Sequence, residues 1–216
     1  PAGPHRMSLL ATWRRHWARH ALRNPDYRFL FAPAPPQEWI SLDCETSSLD
    51  TKTAEILSIA AVPVRANRIC RAEALHLTLR PEHDIAPDSI VIHQLRQQDV
   101  ADGLSVDEAL PRLLHFIGSR PLLGYYLEFD LAVLNRQIRP RLGIHLPNPA
   151  IEVSGLYYDR KVSAYRPEVD LRLSSILQDL DLPDLPRHDP VNDAILAAMI
   201  FLKLGGTALD HDFRCG

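Results

Sequence analysis

Apolar residues recur along this chain at two spacings, and the elements follow from where each spacing begins and ends. From Ser8 to Leu22, SLLATWRRHWARHAL places Leu10, Trp13 and Trp17 on one helical face with arginines elsewhere, an amphipathic helix. The Pro-rich FAPAPPQ that follows reads as an extended linker. Trp39 to Leu42, Glu55 to Val64 and Ala74 to Leu79 are strand-like, and RANR between the last two predicts a hairpin turn, hence an antiparallel portion of sheet. SVDEALPRLLHFIG predicts a helix despite Pro111: Ser105 and Glu108 have capping-box spacing, and Leu110, Leu113, Leu114 and Ile117 form its stripe. RPLLGYY (120–126) predicts a short strand, and LEFDLAVLNRQI a helix with the stripe Leu127, Leu131, Leu134 and Ile138. IEVSGLYY predicts another strand, and a helix lies near Leu171 to Leu180. The last helix begins after RHDP and runs to Leu204, closed by Gly205 and Gly206.

These elements describe an α/β chain with an N-terminal helical extension. Residues 1–36 hold the basic helix and Pro-rich linker, and residues 37–216 the folded domain; residues 1–6, PAGPHR, precede Met7 and read as a cloning remnant. No apolar run approaches ~18 residues, so no membrane span is expected. The three cysteines, Cys44, Cys70 and Cys215, are odd in number and form no C-x-x-C pair, which disfavours a disulfide framework or structural zinc and predicts a soluble, cytoplasmic protein. Formal net charge is −3, low for a nucleic-acid binder. Its distribution is uneven: residues 1–40 carry six arginines against Asp26 and Glu38, leaving a strongly acidic body. The tryptophan helix is expected to pack against that body or a partner, with nucleic-acid contact and membrane-surface association as alternatives, and Arg136, Arg139 and Arg141 to form a solvated helix face.

The acidic residues carry the chemistry. WISLDCETSSLD (39–50) places Asp43 and Glu45 on one face of a strand, with Cys44 on the other side facing the core. Asp130 borders the apolar stripe of its helix. In HDPVND, Asp189 is an N-cap and Pro190 the first helical residue, which makes His188 and Asp193 the neighbouring staple positions, here filled by imidazole and carboxylate. If the four acids Asp43, Glu45, Asp130 and Asp193 converge, their repulsion is large, since two unit charges 4 Å apart cost about 4 kcal/mol at an effective dielectric near 20. Hard divalent cations with oxygen ligands offset that repulsion. Two such ions form a clamp for in-line displacement at phosphorus, with a histidine as general base.

Asp-x-Glu, then Asp after Phe on a helix, then His followed five residues on by Asp, resembles the histidine branch of the DEDD superfamily of 3′-to-5′ exonucleases, typified by the proofreading subunit of bacterial DNA polymerase III. The similarity spans about residues 37–204 and includes DCETSSLD, SIVIHQLRQQDV, FIGSRPLLGYYLEFDLAVLN and RHDPVNDAILAA. The resemblance implies a ribonuclease-H-like mixed sheet flanked by helices and two divalent ions, Mg²⁺ or Mn²⁺. It implies that Asp43 bridges both metals, that Glu45 and Asp193 hold the one carrying the attacking water, that Asp130 serves the second, and that His188 takes the proton. Thr46, Tyr125, Tyr126 and Phe129 are the expected substrate contacts, and Tyr125 and Tyr126 stand where many relatives have His-Asn. The expected partners are 3′ ends of single-stranded DNA or RNA, with DNA favoured, and a polymerase or other protein. Two alternatives remain beside this one: a catalytically weak nucleic-acid- or polymerase-binding module of the same fold, and an oligoribonuclease-like enzyme acting on short RNA.

Overall fold

A computed structural model describes residues 9–83, 100–162 and 169–211. Helix α1 (Leu9–Ala21) is followed by a 3₁₀ turn (Pro25–Phe31) and then by strands β1 (Glu38–Thr46), β2 (Ile56–Arg65), β3 (Arg68–Ile69) and β4 (Leu75–Thr78). Helix α2 (Val106–Ile117), β5 (Leu122–Gly124), α3 (Leu127–Leu142) and β6 (Ala150–Glu152) come next, then α4 (Val153–Val162), α5 (Leu173–Asp179) and α6 (Pro190–Lys203). Residues 1–6, Cys215 and residues 89–99 of SIVIHQLRQQDV lie outside the described residues.

The strands form one mixed sheet in the order β3-β2-β1-β5-β6, with β4 also on β2. β1 runs antiparallel to β2 and parallel to β5, and β5 runs parallel to β6. Alternation along β1 divides the core in two. Ile40 and Leu42 face α2 and α3, packing with Leu113, Leu134 and Ile138. Trp39 faces the other way onto Phe201 of α6, ring centroids 5.2 Å apart, and Ser41 Oγ on that face donates to the Ala194 carbonyl at 2.6 Å. Helices therefore cover both faces of a sheet whose central strand carries Asp43 and Glu45.

Several local expectations shift. The RANR turn is present, with Ala66 at positive φ, but it leads into two-residue β3; a short 3₁₀ turn then returns the chain to β2 as β4. IEVSGLYY is strand only to Glu152, because the Glu152 carboxylate accepts the Ser154 N–H and hydroxyl and starts α4 there. Glu108 accepts from the Ser105 N–H and hydroxyl and so caps α2. Helix α1 turns its tryptophans outward: Trp13 and Trp17 are 65% and 64% exposed, while Ala18 and Leu22 pack on the body. Arg15 lies between, donating to the carbonyls of Pro147 at 2.9 Å and Ala32 at 3.2 Å. Arg136 spans to the loop after β1, donating to the Thr51 carbonyl at 3.1 Å and to that of Ala54. It is a clamp, where a solvated face was expected.

Candidate functional site

Helix α6 starts over the C-terminal half of β1. Asp189 Oδ1 accepts from the N–H groups of Val191 and Asn192 at 2.9 and 3.1 Å, and Pro190 follows as the first helical residue. With α6 held on β1 by the Ser41 bond, Asp193 meets Asp43 and Glu45, and ligand oxygens of all three lie within 4.8 Å of one another. Asp193 Oδ2 accepts the His188 backbone N–H at 3.0 Å. His188 and Asp193 are thus joined through the main chain, where the staple spacing pointed to a side-chain pair. Asp193 Oδ1 is buried with no hydrogen bond, its cationic neighbour Arg187 standing 4.0 Å away. His188 itself is exposed and held at φ +62°.

Asp130 approaches from α3, on the opposite face of the sheet. It is buried, accepts the Cys44 backbone N–H, and is close enough to raise the protonation of Asp43 and to be raised in turn by Glu45, though it stands outside the tight trio. Its approach depends on Gly124, where a Cβ would come 2.8 Å from the Leu42 carbonyl oxygen and 3.0 Å from Leu127. Cys44 packs toward the α3 side as expected, yet also lines the cleft.

Asp43, Glu45, Asp130 and Asp193 are each pushed toward the protonated form. Burial, then the charges of Asp130 and Asp193, hold Asp43 well above the usual carboxylate range. Burial, then Asp193 and Asp189, lift Glu45 to about 7. Burial also raises Asp130, followed by Glu45, against the opposing Cys44 N–H. Asp193 is raised by burial although the His188 N–H and Arg187 pull the other way. Asp189, read from the sequence only as a cap, contributes to this field; its proximity depends on the docking of α6.

A cleft of about 180 Å³ opens beside the carboxylates, lined by Thr46, Leu49, Tyr125, Tyr126 and Phe129 among others. Thr46 is buried and donates to the Ser48 carbonyl at 2.8 Å. Tyr125 is tied by its hydroxyl to the Leu171 carbonyl at 3.0 Å, whereas Tyr126 is 72% exposed. Leu49 was missed from the sequence; an apolar residue in the polar turn SSLD is the signal that marks it. A larger cavity of about 620 Å³ shares Ser48 and is lined by Lys52, Glu55, Arg80 and Arg136, and among the described residues the close carboxylate trio lies outside it. There Arg136 is committed to its loop, and Glu55 pairs with His83.

Residues 40–201 match the family model of the RNase T type, described as exonuclease. The chain belongs to this exonuclease family. It is 27% identical over 183 residues to the PolC-type DNA polymerase III of Thermotoga petrophila, a match covering 84% of this chain and 13% of that one. It is 24% identical over 166 residues to the DNA polymerase III subunit epsilon of Aquifex aeolicus, covering 77% and 79%. This exonuclease chain therefore spans about an eighth of the PolC-type relatives it matches. The fold matches the nuclease domain of 3′hExo, a DEDDh family member bound to rAMP, with a TM-score of 0.67 at 15% identity over 85% of this chain and 98% of that one. The mixed sheet flanked by helices is the ribonuclease-H-like fold expected from the sequence. Among the described residues no helix is long and apolar enough to cross a membrane.

Proposed function

We propose that this exonuclease removes nucleoside monophosphates from the 3′ end of single-stranded nucleic acid, preferring DNA, with two divalent ions held by Asp43, Glu45, Asp130 and Asp193. The observation that carries the reading is the trio Asp43, Glu45 and Asp193, with ligand oxygens within 4.8 Å of one another and one of them, Asp193 Oδ1, buried without a donor. An all-oxygen donor set whose protonation is raised by burial first and by neighbouring carboxylates second fits hard cations such as Mg²⁺ or Mn²⁺. When bound, such a pair supplies charge stabilisation at the scissile phosphate and a nucleophile at neutral pH.

The chain's own groups do the rest. His188, placed on the N-terminal side of α6 by its bond to Asp193, accepts the proton of the attacking water at its imidazole. A left-handed backbone at a non-glycine residue is strain of the kind found at functional positions, and the His188 side chain is exposed there. Thr46 and Phe129 flank the terminal nucleotide, and exposed Tyr126 offers a face for a base to stack on. Tyr125, bonded to Leu171, shapes the wall. Single strands fit because opening a duplex end costs about 1.4 kcal/mol per step, and an acidic body offers little electrostatic return. The similarity to polymerase III subunits supports DNA as substrate, a polymerase as partner and the cytoplasm as the place of action. Residues 37–216 form the catalytic domain in this reading, with residues 1–36 as its basic extension.

Purified protein incubated with 3′- and 5′-labelled single-stranded DNA and RNA, with and without Mg²⁺, tests it. Metal-dependent loss of the 3′ label as mononucleotide is expected, faster on DNA. Cuts within a circular single strand, or early release of a 5′ label, would overturn it.

A further inference from the structure

Strand β6 ends at Glu152, in register with Gly124 at the end of β5, so its side chain stands beside the first turn of α3. That turn has an unusual beginning. Its N-cap is Tyr126, in the left-handed conformation at φ 59° and ψ 29°, and the phenol makes no capping bond. The leading amides of a helix need acceptors when they lie away from water. Glu152 provides them from another strand: Oε1 accepts the Tyr126 N–H at 3.1 Å and Oε2 the Leu127 N–H at 2.8 Å. The same Oε1 accepts the Ser154 N–H at 3.1 Å and the Ser154 hydroxyl at 2.8 Å, so one carboxylate serves the N-termini of α3 and α4. An anion at two helix N-termini is favoured by both macrodipoles.

The turn that Glu152 grips carries the fourth carboxylate. Asp130 lies one turn after Tyr126, with Phe129 N–H already bonded to the Tyr126 carbonyl at 3.0 Å, so the rotation of Tyr126 and Leu127 sets where Asp130 meets Cys44 and β1. We infer that Glu152 is a positioning residue for the catalytic centre. Two fixed bonds to the α3 N-terminus place Asp130 for metal binding and hold Tyr126 in its left-handed, cleft-facing pose. The assignment rests on the metal-dependent reading above. Glu152 acts through Asp130, and its test needs more than a rate.

The isosteric Glu152→Gln removes one of the two acceptors, and Glu152→Ala removes both; if Glu152→Ala does not fold, Glu152→Gln carries the test. Four readouts are taken on each: melting without metal, the Mn²⁺ concentration giving half of the metal-induced melting shift, kcat and KM on a single-stranded oligonucleotide, and amide exchange at Tyr126 and Leu127. In Glu152→Gln we expect the Mn²⁺ midpoint to rise and kcat to fall, each about 10- to 100-fold, the range for groups that orient metal ligands. KM should move less than kcat, and exchange should accelerate at those two amides while β2 amides keep their protection. A variant that melts lower but keeps the wild-type Mn²⁺ midpoint and kcat below its melting range overturns the assignment, leaving Glu152 a plain helix cap. So does one with unchanged exchange at Tyr126 and Leu127. Wild-type protein that neither responds to Mn²⁺ nor degrades any strand defeats the functional reading itself, and this assignment with it. An active wild type with indifferent variants defeats this assignment alone.

Discussion

Asp193 Oδ1 has lost water and gained no donor, while its twin oxygen is satisfied by the His188 N–H. Such an atom costs free energy until a cation or a proton reaches it. Asp43→Asn should therefore abolish hydrolysis while the metal-free variant melts at or above wild type, since one of several crowded charges is gone. Added Mn²⁺ should stabilise wild type more than this variant; equal stabilisation would make Asp43 structural. His188→Ala should lower turnover by about 10² to 10⁴ with the Mn²⁺ stabilisation retained, because the proposed proton transfer is lost while the ligands stay. Unchanged turnover would remove the imidazole from the chemistry. The same crowding predicts a pH dependence. Glu45 is raised from 4.5 to about 7, and Asp43, Asp130 and Asp193 move in the same direction, so the folded protein keeps protons that the unfolded chain has released. Their stabilising contribution is complete below the unfolded values and disappears as pH rises through the folded ones. With chelator present, the melting temperature should fall between about pH 5 and 7, and Mg²⁺ should reverse the trend. A flat chelated profile would mean that neither burial nor crowding raises these carboxylates.

Strands and helices show which part of this was written plainly. β1, α3 and the cap of α6 were legible because each is signalled locally: alternation around Asp43, a 3.6-residue stripe around Asp130, and Asp-Pro at a helix start. Orientation was less legible. Helical period shows which face of α1 is apolar, but not which face docks. Here the docking is set by Ala18, Leu22 and the Arg15 guanidinium on three carbonyls, and Trp13 and Trp17 turn to solvent. β3 and the early end of β6 were missed because two- and three-residue strands have too few positions to show alternation. Glu152 gave no signal at all, since its bonds to Tyr126 and Leu127 span 26 and 25 residues and exist only once β5 and β6 pair. Gly124 looked like an ordinary strand glycine, yet a methyl there would meet the Leu42 carbonyl oxygen at 2.8 Å. Gly124→Ala should destabilise by about 1–3 kcal/mol, as overpacking does, and shift α3 enough to weaken Mn²⁺ binding. Denaturant melts and a Mn²⁺ titration check both.

Across the protein as a unit, the three tryptophans offer a direct check of how α1 sits. Trp39 is buried against Phe201, whereas Trp13 and Trp17 face solvent. Iodide should quench one part of the emission and leave another protected, and Trp39→Phe should remove the protected part. Full quenching in wild type would contradict the buried β1. A different consequence follows from the 2.6 Å bond between Ser41 and the Ala194 carbonyl, which joins residues 153 apart in the sequence. Asp43 and Glu45 precede α6 along the chain, so a polypeptide synthesised only up to α6 carries half of the proposed centre. In refolding from denaturant, hydrolysis should return only with the step that seats α6 on β1, which makes cleavage of a labelled strand a clock for the completion of this fold.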